Sequence, residues 1–387
     1  MKFWGYRRPD GRSGIRNKVL IMDGVLCSAV AAEQVAKKVE GTTYLHNQNG
    51  CAQNPIDTAA TLEIMSGLIA NGNVYGALII GLGCETTTEE DYLNAVKSKT
   101  NKPVYYISIQ ETGGLERTVQ KGVEVASKLV EEANKVQREE IDVSELIIGL
   151  ECGGSDPTSG ISANTVLGQV SDYVVSMGGS AVLSETSEAI GAEEMLRKRG
   201  RTPEIGQQIY DAIESWKNEY ERASGSNIRD TNPSPGNKKG GLTTLEEKSL
   251  GCVHKSGTAP FDAFYQPGQY IDKKGLSFMN TAAYDIVSVT AKIAGGCQLV
   301  VFTTGLGTPI GNPIAPVIKV TGNKKTYEFL NDIIDFSTHE SLTGEKTISE
   351  LADKMLNLII DVSNGKEVIA EKINSGYIAT NQLFSSC

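Results

Sequence analysis

The chain has 387 residues, a formal charge of -10, and 40% apolar and 22% charged side chains, which fits two or three domains of ordinary globular composition. That charge lacks the basic face that nucleic-acid binding needs, and no apolar run reaches the ~18 residues of a membrane helix. Seven cysteines without C-x-x-C or a disulfide-framework spacing, and a start without a secretory segment, predict a cytoplasmic protein with reduced thiols. Three histidines (His46, His254, His339) leave little for a multi-His metal centre or a hydrolase triad.

Gly5 to Asn17 is a polar, turn-rich entry in which Pro9-Asp10-Gly11 signals a turn. A strand from Val19 to Leu26 leads to a helix near Ser28–Val39, with Ser28 as its expected N-cap. A strand around Thr43–Leu45 ends in His46-Asn47-Gln48-Asn49-Gly50-Cys51. A helix near Thr58–Ala70 precedes the strand Ala77–Ile80, another follows Thr86-Thr87-Thr88-Glu89, and Pro103–Ile109 is a further strand before a long helix to about Lys135. The polar interval Lys135–Glu145 is the expected boundary between an N-terminal α/β domain (1–140) and a C-terminal α/β catalytic domain (141–387). The second half repeats the alternation. A strand ending at Cys152 is followed by a helix near Ser162–Met177, a strand at Ser180–Leu183 and helices from about Ser187 to Ala223. The glycine- and proline-rich interval 224–241 comes next, then strands near Leu276–Met279 and Gln298–Thr303, and helices near Lys325–Asp335 and Ile348–Val362. Alternating strands and helices imply mostly parallel sheets with right-handed crossovers. The fold is therefore α/β, two layered units that are Rossmann-like but without the Gly-x-Gly-x-x-Gly dinucleotide fingerprint.

One design recurs. Ile79-Ile80-Gly81-Leu82-Gly83-Cys84 and Ile147-Ile148-Gly149-Leu150-Glu151-Cys152 share a frame, and Val19 to Cys27 is a looser version. Ligands of open α/β sheets bind beyond the C-terminal ends of strands. Three strands that each deliver a cysteine there, with Glu85 and Asp156 close by, suggest soft and hard ligands for iron or another divalent metal; the competing reading is of small buried hydrophobes beside permissive glycines. His46 and Cys51 form a further candidate pair after a strand. Pro235 to Thr244 is the anion-binding candidate. Its glycines expose N–H groups before a helix N-terminus and Lys238 and Lys239 add charge, in a spacing that is not a P-loop, so a carboxylate of a sugar acid fits better than a nucleotide.

These stretches in this order resemble the altronate/galactarate dehydratase family. They are GYRRPDGRSGIRN (5–17), GLGCET (81–86), CGGSDPTSGISAN (152–164), LSETSE (183–188), NPSPGNKKGGLTTLEEKSLG (232–251) and the Phe302–Gly307 exit. The (2R)-sulfolactate sulfo-lyase large subunits share this architecture. The resemblance implies an iron-dependent lyase, with Mn2+ able to replace Fe2+, that removes water from a sugar acid to leave a 2-keto-3-deoxy acid. It acts on altronate by preference, with galactarate dehydration, sulfolactate cleavage or non-catalytic sugar-acid binding as the alternatives. Under this reading His46, Glu85 and Lys238 carry proton transfer, and Arg16, Asn237, Lys238, Gly240, Gly241 and Thr243 hold the substrate. Cys51, Cys84, Cys152 and Asp156 surround the metal. The chain departs from the family pattern at Leu306, where an arginine is common, and between His46 and Cys51. It begins at the catalytic region, so the expectation is a separate small subunit of the SAF type and a homo-oligomer, with no nucleic-acid or membrane partner.

Overall fold

The computed structural model describes residues 1–383. In chain order its strands are Lys2–Arg7 (β1), Ser13–Gly14 (β2), Lys18–Asp23 (β3), Thr42–Leu45 (β4), Val74–Gly81 (β5), Val104–Ser108 (β6) and Glu139–Asp142 (β7). They continue with Ile147–Cys152 (β8), Ser180–Leu183 (β9), Phe261–Tyr265 (β10), Gly275–Met279 (β11), Leu299–Thr303 (β12), Val317–Thr321 (β13) and Phe336–Ser337 (β14). They build a four-stranded sheet of order β4-β3-β5-β6, a seven-stranded sheet of order β10-β11-β9-β8-β12-β13-β14, and a small β2-β1-β7 sheet. The two larger sheets are parallel throughout, as the alternation of elements predicts. The small one is antiparallel and pairs the N-terminal strand with β7, which lies inside the polar 135–145 interval.

Strand residues alternate between two cores, as a period of two requires. Val19 and Ile21 of β3 face an outer core with the helices Ala29–Lys38 and Leu115–Ala133, while Leu20 and Met22 face inward. From the other sheet, Val300 and Phe302 of β12 join that same inner core, and Leu299 and Val301 join a third on the far face. The inner core is bridged by two helices, Pro55–Ala70 and Asp285–Ala294. They touch so closely that a Cβ on Gly67 would crowd the Ala294 carbonyl at 2.7 Å. The helices start as their sequences dictate at Asn54, whose side chain accepts from the Ile56 and Asp57 amides, and at Thr88, which heads a capping box. Ser28 departs from expectation: its hydroxyl donates to the carbonyls of Val25 and Ile80, so it ties a loop to β5 and caps nothing.

Each parallel sheet reverses strand order at its first strand. β8 has β9 on one side and β12 on the other, and β3 has β4 and β5. Crevices form beyond the strand ends at such switch points. Cys152 ends β8 and Asp23 ends β3.

Candidate functional site

At the end of β8, Cys152 turns inward and is almost wholly buried. Its Sγ lies 3.5 Å from Sγ of Cys252, on the helix Leu245–Val253. Glu185, in the turn after β9, completes the group. Its carboxylate accepts from the Cys152 amide (3.1 Å), and ligand atoms of Cys152, Glu185 and Cys252 all lie within 4.8 Å of one another. Lys255 stands among them with no exposed surface. Its Nζ donates to Cys252 (2.8 Å) and Cys152 (3.1 Å) and pairs with Glu185 at 2.7 Å. Burial alone would lower the Lys255 ammonium, but the surrounding thiols and carboxylates raise it above the usual lysine range. The Cys252 contact and burial push the Cys152 thiol up. Glu185 adopts a left-handed backbone (φ 65°), a strained state for a non-glycine residue that persists only when neighbours hold it. Here its amide donates to Thr281 Oγ1 (3.0 Å).

Beneath this group Glu151 pairs with Lys292 and accepts from Ser288 Oγ (2.8 Å), while its Oε1 is buried without a partner. Glu151, Glu185 and Asp285 form a second set of close carboxylates. Two sulfurs, a carboxylate and an orphaned carboxylate oxygen next to them are a donor set that suits a thiophilic divalent cation. Cys152, Cys252 and Glu185 thus form a group able to hold a metal, and Lys255 supplies positive charge to the same atoms.

Above the group opens a cavity of about 260 Å³, lined among others by Cys152, Glu188, Lys248, Asp285 and Leu306. Lys248 reaches Glu188 at 2.9 Å and Asn232 Oδ1 at 3.0 Å. Asp285, the first residue of its helix, presses its carboxyl against Gly153, where any Cβ would overlap its Oδ2. Burial, then the charges of Glu185 and Glu188, push the Asp285 carboxyl up to about 7. The cavity therefore joins a cation, a carboxyl poised between its two charge states and a metal-holding group.

The four-stranded sheet has its own strand-end cluster. His46 Nδ1 lies 3.1 Å from Asp23 Oδ2 and 3.2 Å from the Tyr44 hydroxyl. Glu85 accepts from Tyr106 OH (2.6 Å) and from the Leu82 and Gly83 amides; against the penalty of burial, these bonds hold its carboxyl below the usual range. Cys51 is exposed, 3.6 Å from Thr86 Oγ1, which lowers its thiol.

The residues expected from the sequence fall into separate places. Cys152 meets a sulfur and a carboxylate, but Cys51 and Cys84 are exposed at the other sheet and share no close ligand group with it among the described residues. Asp156 belongs to no close ligand group among the described residues: Oδ1 accepts from Thr158 and Ser159, and Oδ2 from Asn323 Nδ2 (2.8 Å), bonds that fix the loop. Arg16 is a structural clamp. Every guanidinium nitrogen is engaged, by Glu371 at 2.8 Å and by the carbonyls of Ile15, Val362 and Lys366.

The glycine–lysine loop does not offer the free N–H groups expected of it. Pro235–Lys239 is a five-residue helix whose first turn is closed by a Ser234–Asn237 capping box, and Asn237 Nδ2 donates to the Ser155 carbonyl (2.9 Å). At the next helix, Glu247 accepts from the Thr243 amide and hydroxyl, so the chain's own carboxylate fills the anion position. Lys238 is exposed, and Gly240 and Gly241 pack towards Leu306 and Pro157.

Glu185, Lys248, Cys252, Lys255 and Asp285 were not anticipated as site residues, although the first two lie inside the LSETSE and NPSPGNKKGGLTTLEEKSLG stretches. No spacing links Cys252 to Cys152, and Asp285 reads as an ordinary acidic residue in a first helical turn.

Comparison with known proteins agrees with this architecture. Residues 143–385 match the family described as D-galactarate/Altronate dehydratase, C-terminal, and residues 5–134 match D-galactarate dehydratase/Altronate hydrolase, second domain. The chain is 36% identical over 382 residues to an altronate dehydratase of Bacillus subtilis (strain 168), covering 96% of this chain and 75% of that protein. It is 34% identical over 384 residues to a galactarate dehydratase (L-threo-forming) of Escherichia coli (strain K12), covering 94% and 73%. To a (2R)-sulfolactate sulfo-lyase subunit beta of Chromohalobacter salexigens it is 32% identical over 385 residues, covering 99% and 98%. The chain belongs to the D-galactarate/altronate dehydratase family.

Proposed function

We propose that this chain is a hydro-lyase that converts a sugar acid, altronate by preference, to a 2-keto-3-deoxy acid by β-elimination in the cavity beyond β8. The observation that carries the reading is the meeting, in one cavity of about 260 Å³, of the Lys248 cation and the Asp285 carboxyl above the Cys152–Cys252–Glu185 group. The hard step is removal of a proton α to a carboxylate, because the developing enediolate carries charge that water stabilises poorly. Lys248 is placed to hold the substrate carboxylate as that charge grows. Asp285, half-buried on the same wall, is placed to take the α proton.

Cys152, Cys252 and Glu185 would hold Fe2+, with Mn2+ as a substitute; bound there, the cation supplies Lewis-acid stabilisation. His46 and Glu85, at the end of the four-stranded sheet, complete the proton-transfer groups. The enzyme acts in the cytoplasm as a homo-oligomer, with a small SAF-type subunit supplied separately. No described helix is long and apolar enough to cross a membrane.

Two other readings share the pocket: elimination of sulfite from sulfolactate, supported by the near end-to-end alignment with the sulfo-lyase subunit, and sugar-acid binding without turnover. Anaerobic incubation of the iron-loaded chain with altronate, galactarate and sulfolactate, with and without a SAF-type small protein, separates them. A 2-keto-3-deoxy acid is expected. Sulfite plus pyruvate would move the assignment to the sulfo-lyase, and binding without product in every combination would remove the enzyme.

A further inference from the structure

The His46 cluster contains a buried group that the elimination chemistry has not yet used. β3 and β4 are paired with Met22 opposite Leu45, so Asp23 and His46 leave the sheet side by side. Asp23 has no exposed surface. Its Oδ2 lies 3.1 Å from His46 Nδ1 and accepts from the Asn47 amide (3.2 Å), and its Oδ1 is buried without a partner.

The surroundings fix this pair. Asn47 Nδ2 donates to the Gly24 carbonyl and the Tyr92 hydroxyl (3.0 Å each), and Tyr92 OH donates to Gly24 O (2.6 Å). Gly50 lies so close to Gly24 that a Cβ would overlap the Gly24 carbonyl. The His46 side chain is 38% exposed, so its remaining ring edge faces outward. A buried carboxylate against Nδ1 orients an imidazole with Nδ1–H inward and Nε2 outward.

Hydrogen bonds tie the loop after His46 to the helix that lines the cavity. Asn49 Nδ2 donates to Thr380 Oγ1 (2.7 Å), and the adjoining Ala379 amide donates to Thr290 Oγ1 (3.3 Å). Thr290 is on the helix whose first residue, Asp285, lines the cavity.

We propose that Asp23 is a positioning residue that fixes the His46 ring so that Nε2 serves as the proton donor to the departing hydroxyl of the sugar acid. The proposal rests on the hydro-lyase reading. In that step the ring starts as the imidazolium, with a proton on each nitrogen; the C3–O bond breaks, its electron pair leaves with the oxygen, the Nε2 proton completes a water molecule, and the ring is left neutral with Nδ1–H held by Asp23. The proton lost from C2 goes to the base, and the imidazole recovers one from solvent, so protons balance over the turnover. The titratable groups facing the ring are Asp23 and Tyr44, with Glu33 behind Tyr44, and Tyr92 and Glu85 behind Asp23.

The test is ring 15N NMR of histidine-labelled chain, with His46 assigned by the signal lost in His46→Gln, beside steady-state kinetics and a circular-dichroism melt. Expected for the parent is the Nδ1–H tautomer. Asp23→Asn should convert it to Nε2–H and reduce kcat ~10²-fold with KM changed less than ~3-fold. An unchanged tautomer in Asp23→Asn overturns the dyad, as does an Nε2–H tautomer in the parent, a readout that needs no folded variant. A changed ring with parent-like kcat in Asp23→Asn and His46→Gln overturns the proton-donor role. A parent chain inactive on every acid defeats the hydro-lyase reading and the donor role with it, while the ring signals still decide the dyad.

Discussion

Lys255→Met tests how the β8 site is neutralised. The Lys255 ammonium reaches Cys152, Cys252 and Glu185, and neither it nor Glu185 has exposed side-chain surface. Methionine fills most of the lysine stem, so little cavity cost is added. What is lost is the charge partner of Glu185, which keeps the Cys152 amide as a donor. Removing one member of a buried ion pair costs about 3–5 kcal/mol, a large part of the ~5–15 kcal/mol that holds a folded domain. Urea titrations of chelator-treated protein should therefore show a clear fall in midpoint at unchanged slope. Adding Glu185→Gln to Lys255→Met removes both charges and should recover most of the loss, because the penalty lies in the unpaired carboxylate. Co2+ should restore the single variant more than the parent, since a cation bound to the native state raises its stability by mass action. A loss under ~1 kcal/mol in the single variant, with no recovery in the double, would refute the assignment of Lys255 as the counter-charge of Glu185.

Gly153→Ala places a Cβ onto the Asp285 carboxyl, so turnover should fall at least ~10-fold while stability drops by about 1–3 kcal/mol; kinetics beside a urea titration decides this, and parent-like turnover refutes it. Leu306→Arg adds a second cation to the wall that holds Lys248, which should lower KM for the diacid galactarate relative to altronate by about tenfold; comparing kcat/KM for the two acids checks it. Lys319, fully buried with its ammonium on the Ile310 carbonyl, is pushed down to about 7 by burial. Between pH 7 and the unfolded value of 10.5 the unfolded chain binds the extra proton, so the parent gains stability as pH rises through this window. At pH 7 the penalty is on the order of 4–5 kcal/mol. Lys319→Met should remove it, less ~1 kcal/mol for the carbonyl left unbonded, and its advantage should vanish above pH 10.5. Denaturant titrations at pH 7, 9 and 11 measure this, and an equal effect at all three would contradict it.

Much of the fold could be read from local pattern, because buried parallel strands are continuous apolar runs and the helices between them begin at polar caps such as Asn54, Thr88 and Thr244. The strands that escaped notice, β1, β2, β7, β10, β13 and β14, lie at the edge of a sheet or beside its outermost strand, or belong to the small antiparallel sheet. For β1 and β7 the partner lies far along the chain, with Phe3 paired to Ile141.

The site was harder, and the recurring strand-end cysteine explains why. Ile79 to Cys84 and Ile147 to Cys152 differ by a single residue, glycine or glutamate before the cysteine, yet one thiol is exposed and the other buried. β8 has a partner to its last residue, since β12 pairs Thr303 with Cys152, and this keeps Cys152 in the sheet. β5 loses its partner at Gly81, opposite Ser108 where β6 ends, and Gly83 then takes φ 121°, which turns Cys84 out of the strand. The fate of each thiol is set by how far a neighbouring strand runs, a property of residues 104–108 and 299–303 and not of the motif. Cys252 and Lys255 reach Cys152 for the same kind of reason: the helix that carries Cys252, followed at once by the turn that carries Lys255, is laid across the end of β8 by packing against the turn at 159–163 and the helix that follows it. A chemical site assembled by packing from three distant segments leaves no spacing in the sequence, and its members became visible only as neighbours.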